Sequence, residues 1–392
     1  MTNVIILCFL LLVAYVFDLT SAKTRIPTVI FLLLMGWVVR NVVMMFQMNV
    51  ADFSQILPVV GTIGLILIVL EGSLELKLER SKLPLIKSSV LGAIIPMFVL
   101  SFLLAFFFSY YTGAGLRTCL VNAIPFCVIS SAIAIPSVHN SSEITREFVI
   151  YESSFSDIIG ILFFNFLLYN DVIDGFAFAE FGGELMIMLL VSLIATFTLA
   201  FLISKIEHRV KFVPVILLVI LIYAIAKQYH LPALIFILMF GLTVSNIELF
   251  SNYKLVQKVK PKYLRLEITK LNKLIAEGAF LIRSLFFLVF GFLIETQQLL
   301  NSETFTWALI ILLFIVAIRF IQLKISRLPI VPLLFILPRG LITILLFLSI
   351  APESQISMVN KSLVIQVVIL SALIMMTGLI FDPKGARDEI VG

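Results

Sequence analysis

Charged residues are scarce in this chain, where Asp, Glu, Lys and Arg together make up 13% of the 392 residues. Soluble domains carry about 25% charged and about 45–50% apolar residues. Here 61% of the residues are hydrophobic, and the mean hydropathy is +1.16. This composition excludes an ordinary soluble domain. The long apolar runs indicate an all-α polytopic membrane protein.

Cysteine and histidine are also few, with three residues of each. Cys8, Cys119 and Cys127 all lie in apolar segments, and the histidines do not cluster. We therefore expect no disulfide framework, no histidine or cysteine metal site and no cofactor. The net charge of +5 does not indicate nucleic acid binding, because the basic residues follow the pattern of membrane topology.

Segments of about 20 apolar residues, the length that crosses a bilayer, occur thirteen times. We predict spans at 3–21, 26–47, 54–76, 84–110, 117–138, 147–169, 184–205, 211–228, 231–250, 276–295, 304–325, 329–351 and 361–381. They form one transmembrane domain over residues 1–381, followed by a short tail, 382–392, with no regulatory domain. The polar linker 251–275 is rich in lysine and is typical of an amphipathic helix on the membrane surface.

Lysine and arginine are concentrated in alternate loops between these spans. Because cytoplasmic loops carry the excess of basic residues, the pattern predicts a cell-membrane protein with its N-terminus outside and its C-terminus in the cytoplasm. An odd number of spans is consistent with that orientation.

Two of the predicted spans are interrupted by proline. Span 5 contains Pro125 and Pro136, and span 12 contains Pro332 and Pro338 followed by Arg339-Gly340. Spans 1–6 and 8–13 are predicted to form inverted repeats with span 7 as the linker, so that spans 5 and 12 correspond. Broken spans at matching positions of two repeats indicate a transport site.

Asp157 lies near the middle of span 6, with Glu152 five residues earlier. A charged group at that depth costs about 2.5–3.5 kcal/mol on insertion scales, and such acids are functional by default. We predict that Asp157 binds a monovalent cation or a proton in competition. Neutral oxygens and one further acid are the candidate additional ligands: Ser130, Ser131, Ser153, Ser156 and Glu71.

Glu152 is more than a turn from Asp157 and rotated around the helix, so it is free to serve a different partner. We expect a buried ion pair with an arginine of another span. Arg319, deep in span 11, is the first candidate, and Arg339 at the break of span 12 is the second. The alternatives are that Glu152 belongs to a looser network of polar contacts, or that these arginines extend to the membrane interface.

The chain resembles the monovalent cation:proton antiporter superfamily, the sodium/proton exchangers, over nearly its whole length. ESSFSD is similar to the family's Glu-x-x-x-Asn-Asp segment, VISSAIAIPS to a Ser-Ser-Thr-Ala segment, and LPRGLITILL to a Leu-Arg-Gly segment. The resemblance implies crossed broken helices 5 and 12, a moving core, a homodimer, and a structural Glu152–Arg319 ion pair. The chain departs from the family pattern at two points. Ser156 stands at the position where the family has Asn or Asp, and the broken span 5 contains no acid.

The prediction is a secondary antiporter, not an enzyme, that exchanges Na⁺ for H⁺ by alternating access, with K⁺ or Li⁺ as the other cations. A single free carboxylate predicts electroneutral exchange. The expected partners are the cation, the proton, membrane lipid and a second copy of the chain. The alternatives are a carrier of another small solute on a related fold, an intramembrane lipid- or sugar-processing enzyme, and a channel.

Overall fold

The computed structural model describes residues 2–24, 26–46, 56–78, 82–138, 141–170, 172–205, 211–250 and 261–380. Within these ranges the chain is helical and contains no β-strand. Residues 251–260 of the predicted polar linker and the predicted tail 382–392 lie outside the described residues.

Fifteen α-helices are described, and every predicted span overlaps at least one of them. In chain order they are α1 Thr2–Thr24, α2 Thr28–Met45, α3 Ile56–Glu75, α4 Leu83–Thr112, α5 Leu116–Ala123, α6 Ser131–Ser137, α7 Glu143–Tyr169, α8 Gly175–Lys205, α9 Phe212–Gln228, α10 Leu234–Ser245, α11 Pro261–Phe292, α12 Thr296–Leu299, α13 Ser302–Ile325, α14 Leu341–Leu348 and α15 Lys361–Ile380. Short 3-10 turns lie at Ile124–Phe126, Ile247–Phe250 and Pro352–Ser354.

Eight helices in the described ranges are long and apolar enough to cross a membrane, and three shorter apolar helices accompany them. The protein is therefore a multi-pass helical membrane protein, while the count of thirteen spans stays a prediction. One boundary differs from expectation. We expected a surface helix to end near 275, but α11 runs without a break from Pro261 to Phe292, and no proline lies within 262–292 to interrupt it.

The described chain divides into two compact units. The first contains residues within 1–62, 85–164 and 281–392, and the second contains residues within 63–84 and 165–280. In the first unit α13 packs along α15. There α2 and the end of α11 approach through paired glycines. A Cβ at Gly36 would lie 2.7 Å from the backbone nitrogen of Phe292, and one at Gly291 would lie 2.9 Å from the Cα of Leu33. Small residues at a crossing let membrane helices pack backbone to backbone.

The second unit is built on α8, which packs against α9 and α10. The end of α3 packs closely against α10, as α2 packs against the end of α11. Gly241 faces Ser73 so closely that a Cβ at Gly241 would lie 2.6 Å from the Cβ of that serine. At the end of α10, the Asn246 amide accepts a hydrogen bond from the Leu78 nitrogen at 2.7 Å and donates to the Leu76 oxygen at 2.8 Å. These bonds satisfy backbone groups of the residues that follow α3.

Candidate functional site

The two interrupted segments meet at their breaks, in the first unit. Residues 127–130 separate α5 and its 3-10 turn from α6, and extended residues 336–340 precede α14. The Ser130 nitrogen donates to the Pro338 oxygen at 2.9 Å. A Cβ at Gly340 would lie 2.6 Å from Ile133 Cδ1 and 2.8 Å from Ser130 Oγ, so a larger residue there would require these side chains to move. Irregular backbone at membrane depth is tolerated where it is buried in protein or lines a wet cavity.

Helix α7 lies against the first break through two consecutive side chains. Asp157 Oδ2 accepts hydrogen bonds from the Ser131 nitrogen at 3.3 Å and from the Ser131 hydroxyl. Ser156 Oγ accepts a hydrogen bond from the Ile129 nitrogen at 2.9 Å. Asp157 is only 1% exposed. The residues on either side of Ser130 are thus held by α7, and the carboxylate lies at the first residue of α6.

Several oxygens of the first unit are buried without a hydrogen-bond partner among the residues that the structure describes. They are Asp157 Oδ1, Ser130 Oγ, Ser154 Oγ, Ser284 Oγ, Thr343 Oγ1 and Gln366 Oε1. An unsatisfied buried polar group costs about 1–3 kcal/mol, and native proteins contain few of them. Three of them, Asp157 Oδ1, Ser154 Oγ and Ser130 Oγ, belong to α7 and to the first break, and oxygens of this kind suit water or a cation.

Two of these oxygens, Ser154 and Thr343, were not among the predicted ligands. Ser154 lies three residues before Asp157 and so shares its face of α7, which is a spacing that sequence analysis could have used. Thr343 is one turn beyond Gly340, and nothing in its sequence context indicates a ligand. The predicted Ser153 is buried too, but its hydroxyl donates to the Val149 oxygen at 2.7 Å within α7.

Glu71, the remaining predicted ligand, belongs to the second unit. It lies on α3, where it is half-buried.

Glu152 forms a buried ion pair with Arg319 of α13. Its Oε1 also accepts a hydrogen bond from Gln322 Nε2 at 2.6 Å, and Gln322 in turn donates to the Gly92 oxygen at 3.1 Å. Arg319 Nε donates to the Leu333 oxygen at 3.0 Å. The pair therefore joins α4, α7, α13 and the turn that precedes the second break.

Arg339, the second candidate for Glu152, has a different set of partners. Its Nε donates to the Phe126 oxygen at 2.5 Å and its Nη1 to the Leu337 oxygen at 3.2 Å. The Ser371 hydroxyl of α15 accepts a hydrogen bond from its backbone nitrogen at 2.9 Å. Among the described residues it has no carboxylate within ion-pair distance. Arg339 instead satisfies carbonyls that the two breaks leave open, because buried backbone groups at membrane depth need partners inside the protein.

Arg283 of α11 also reaches this region. Its Nη1 donates to the Ala132 oxygen at 3.3 Å, one residue beyond Ser131 in α6. Its half-buried position beside α6 adds a positive charge to the surroundings of the first break.

The chemistry available at this site follows from the different environments of two acids on one helix. Glu152 has the Arg319 guanidinium as its partner. Asp157 has one oxygen bound by a serine and one oxygen without a partner among the described residues. Two carboxylates in distinct environments take distinct roles. Asp157 is the group that can accept a proton or a small cation, with serine, threonine and backbone oxygens as the neutral ligands that hard cations favour.

The chain is similar to known proteins in both sequence and fold. The family profile described as "Sodium/hydrogen exchanger, transmembrane" matches residues 7–383. The structure of the sodium proton antiporter MjNhaP1 from Methanocaldococcus jannaschii at pH 8 is similar with a TM-score of 0.68 and 17% identity, covering 96% of this chain and 99% of that one. A second structure of MjNhaP1, from an electron microscopy map, gives a TM-score of 0.69 and 18% identity, covering 99% and 96%. No match is found among curated protein sequences.

Proposed function

Because this chain belongs to the sodium/hydrogen exchanger family and is therefore a membrane antiporter of cations and protons, we propose that Asp157 is its single transport carboxylate. The observation that carries the proposal is the bonding of this side chain. It is buried, its Oδ2 accepts from Ser131, and its Oδ1 has no partner among the described residues. A carboxylate in that state gains from either a proton or a cation.

The exchange mechanism is competition at one site. Facing one side of the membrane, Asp157 loses its proton and binds Na⁺, with the hydroxyls of Ser130 and Ser154 as neutral ligands. Either neutral form allows the site to change its exposure, whereas the bare carboxylate does not, since moving an unpaired charge through low dielectric is too costly. Na⁺ is the proposed cation, and K⁺ and Li⁺ are the alternatives. No cofactor takes part.

Electroneutral exchange follows from the number of available acids. Among the described residues of the first unit, Glu152 and Asp157 are the buried acids, and Glu152 is paired with Arg319. One carboxylate that alternates between one proton and one monovalent cation moves no net charge in a cycle. This supports a stoichiometry of one to one.

The first test is cation-dependent proton movement in everted vesicles, followed with a pH-sensitive dye. Asp157→Asn, which keeps the size of the side chain, is expected to abolish exchange while the protein remains folded. Asp174→Asn is the matched control. Asp174 is exposed and its Oδ1 caps the start of α8 by accepting from the Ala177 nitrogen at 2.8 Å, a role that asparagine fills equally well. Unaltered exchange in Asp157→Asn would refute the assignment.

The second test addresses the cation and the stoichiometry. Purified protein in proteoliposomes is supplied with Na⁺, K⁺ or Li⁺, with and without an imposed membrane potential. We expect the largest rate with Na⁺ and no change of rate with potential. A rate that rises or falls with the potential would exclude electroneutral exchange without affecting the role of Asp157.

The proposed location is the cell membrane, with the N-terminus outside, the C-terminus in the cytoplasm and two copies forming a homodimer. The distribution of lysine and arginine supports the orientation. A C-terminal reporter that is active only in the cytoplasm tests it, and light scattering of the detergent-solubilised protein tests the dimer.

A further inference from the structure

Gly160 lets α7 come very close to the first break. It is buried and lies three residues after Asp157, on the same face of the helix. A Cβ at Gly160 would overlap Cγ2 of Val128, and it would lie 3.4 Å from Cβ of Val128 and 3.5 Å from Sδ of Met97. Carbon atoms in ordinary contact are about 3.5–4.0 Å apart. The approach of Val128 to α7 therefore depends on the missing side chain at position 160.

The residues that follow Val128 are hydrogen-bonded to the same helix. The Ile129 nitrogen donates to a serine hydroxyl of α7 at 2.9 Å, and the Ser131 nitrogen donates to the Asp157 carboxylate at 3.3 Å. The Ser131 hydroxyl donates to that carboxylate as well. The run 128–131 thus carries both the contact with Gly160 and the oxygens nearest in sequence to the transport site. A change in the first alters the position of the second.

The surroundings of Gly160 leave little room for an added methyl group. Val128 is 1% and Met97 2% exposed, and a β-branched valine has few alternative rotamers. Protein interiors are packed as densely as organic crystals, so a displaced methyl group meets other atoms. The segment 127–130 lies outside a helix, and irregular backbone moves more easily than α7. We therefore expect a larger residue at position 160 to move this segment away from α7.

We propose that Gly160 is a positioning residue that sets the size of the cation accepted at Asp157. The proposal rests on the proposed role of Asp157 as the transport carboxylate. Selectivity among cations at oxygen sites depends on the size of the site and on the number and flexibility of the ligands. Glycine at position 160 keeps Ser131 and its neighbours beside the carboxylate, which favours a small monovalent cation. A larger residue separates them and favours a larger cation.

The experiment measures the concentrations of Li⁺, Na⁺ and K⁺ that give half the maximal proton exchange in proteoliposomes. In Gly160→Ala, we expect the ratio of the K⁺ value to the Na⁺ value to fall by about three- to tenfold, the equivalent of one weakened ligand contact. The ratio of the K⁺ value to the Li⁺ value should fall too. A general packing defect would instead lower the exchange rate with all three cations and leave both ratios unchanged.

The second variant tests the contact itself. Val128→Ala, added to Gly160→Ala, removes the methyl group that the new Cβ would overlap. The double variant is therefore expected to recover most of the wild-type ratios. Val128→Ile enlarges the same contact from the side of the break. It replaces Gly160→Ala if that variant fails to fold, and its ratios are expected to fall in the same direction.

Gly183→Ala is the matched control. Gly183 is an exposed residue of α8, and a Cβ there meets no described atom within 4 Å outside its own helix backbone. This substitution should keep the wild-type ratios. Unchanged ratios in folded Gly160→Ala or, in its place, Val128→Ile overturn the proposal while loss of exchange in Asp157→Asn still supports the transport carboxylate. Exchange that persists in Asp157→Asn overturns the proposed function and this proposal with it.

Discussion

The ion pair between α7 and α13 allows a sharp test of whether Glu152 is structural. Arg319→Met removes the guanidinium and keeps an apolar side chain of similar length. The substitution leaves the Glu152 carboxylate buried, where Glu152 is 1% and Arg319 3% exposed. Its remaining partner is Gln322 Nε2 at 2.6 Å, a neutral donor that cannot compensate a full charge.

Breaking a buried pair by removal of one member costs about 3–5 kcal/mol of unfolding free energy. Glu152→Met alone should cost about the same, because it leaves Arg319 without its counter-charge. The double variant leaves no unpaired charge. It leaves the Leu333 oxygen and Gln322 Oε1 without the donors that Arg319 supplied at 3.0 Å each, a loss of about 1–3 kcal/mol. The double variant is therefore expected to be more stable than either single variant.

The assay is equilibrium unfolding in mixed detergent micelles for the wild type, both single variants and the double variant. The sum of the single losses is about 6–10 kcal/mol, so the expected coupling between the two positions is at least about 3 kcal/mol. Exchange per folded molecule is measured in parallel and should fall far less in the double variant than in Asp157→Asn. Losses that simply add, or a double variant that folds but exchanges nothing, would refute a structural role.

Three further predictions concern close contacts in the first unit. Gly92→Ala should lower the unfolding free energy by about 1–3 kcal/mol, because its Cβ would lie 2.6 Å from Gln322 Nε2. In a Gln322→Ala background, the loss of stability measured by thermal unfolding should be smaller. A loss of the same size in that background would contradict this contact. Gly340→Ala places a methyl group 2.8 Å from Ser130 Oγ and should reduce the exchange rate in vesicles at unchanged expression. A normal exchange rate would show that the function tolerates a larger distance between the two breaks. Asn122→Leu removes three hydrogen bonds, one of 2.8 Å within α5 and two of 2.7 and 3.3 Å to the loop after α14. The melting temperature should therefore fall by the equivalent of about 1–3 kcal/mol. An unchanged melting temperature would mean that water replaces the amide.

The two acids of α7 illustrate how one helix presents two carboxylates to different environments. They are five residues apart, so they face different neighbours around the helix axis. Glu152 faces α13 and meets a guanidinium, while Asp157 faces the first break and meets a serine. A carboxylate fixed by a cation is a poor binding site for another cation. The difference between their partners therefore depends on helix rotation as much as on residue type.

The apolar runs determined the membrane class and the positions of the helices, because a segment must be about 20 residues long and apolar to cross a bilayer. The prolines also indicated the breaks at 127–130 and 336–340. Their effect is local, because proline removes a backbone donor and clashes with the preceding turn. Asp157 and Glu152 could be singled out from sequence because an intramembrane acid is expensive wherever it lies.

The hydrogen-bond and ion-pair partners of the buried side chains could be identified only from the tertiary structure. Arg319 and Arg339 are both arginines in apolar surroundings, and sequence left both open for Glu152. Only the packing of α7 on α13 made Arg319 the partner and left Arg339 to the carbonyls of Phe126 and Leu337. The buried hydroxyl of Thr343 was equally invisible, since hydrogen-bond satisfaction depends on neighbours distant in the chain. Local propensity and hydropathy act along the sequence, whereas pairing of charges and hydrogen bonds acts through space.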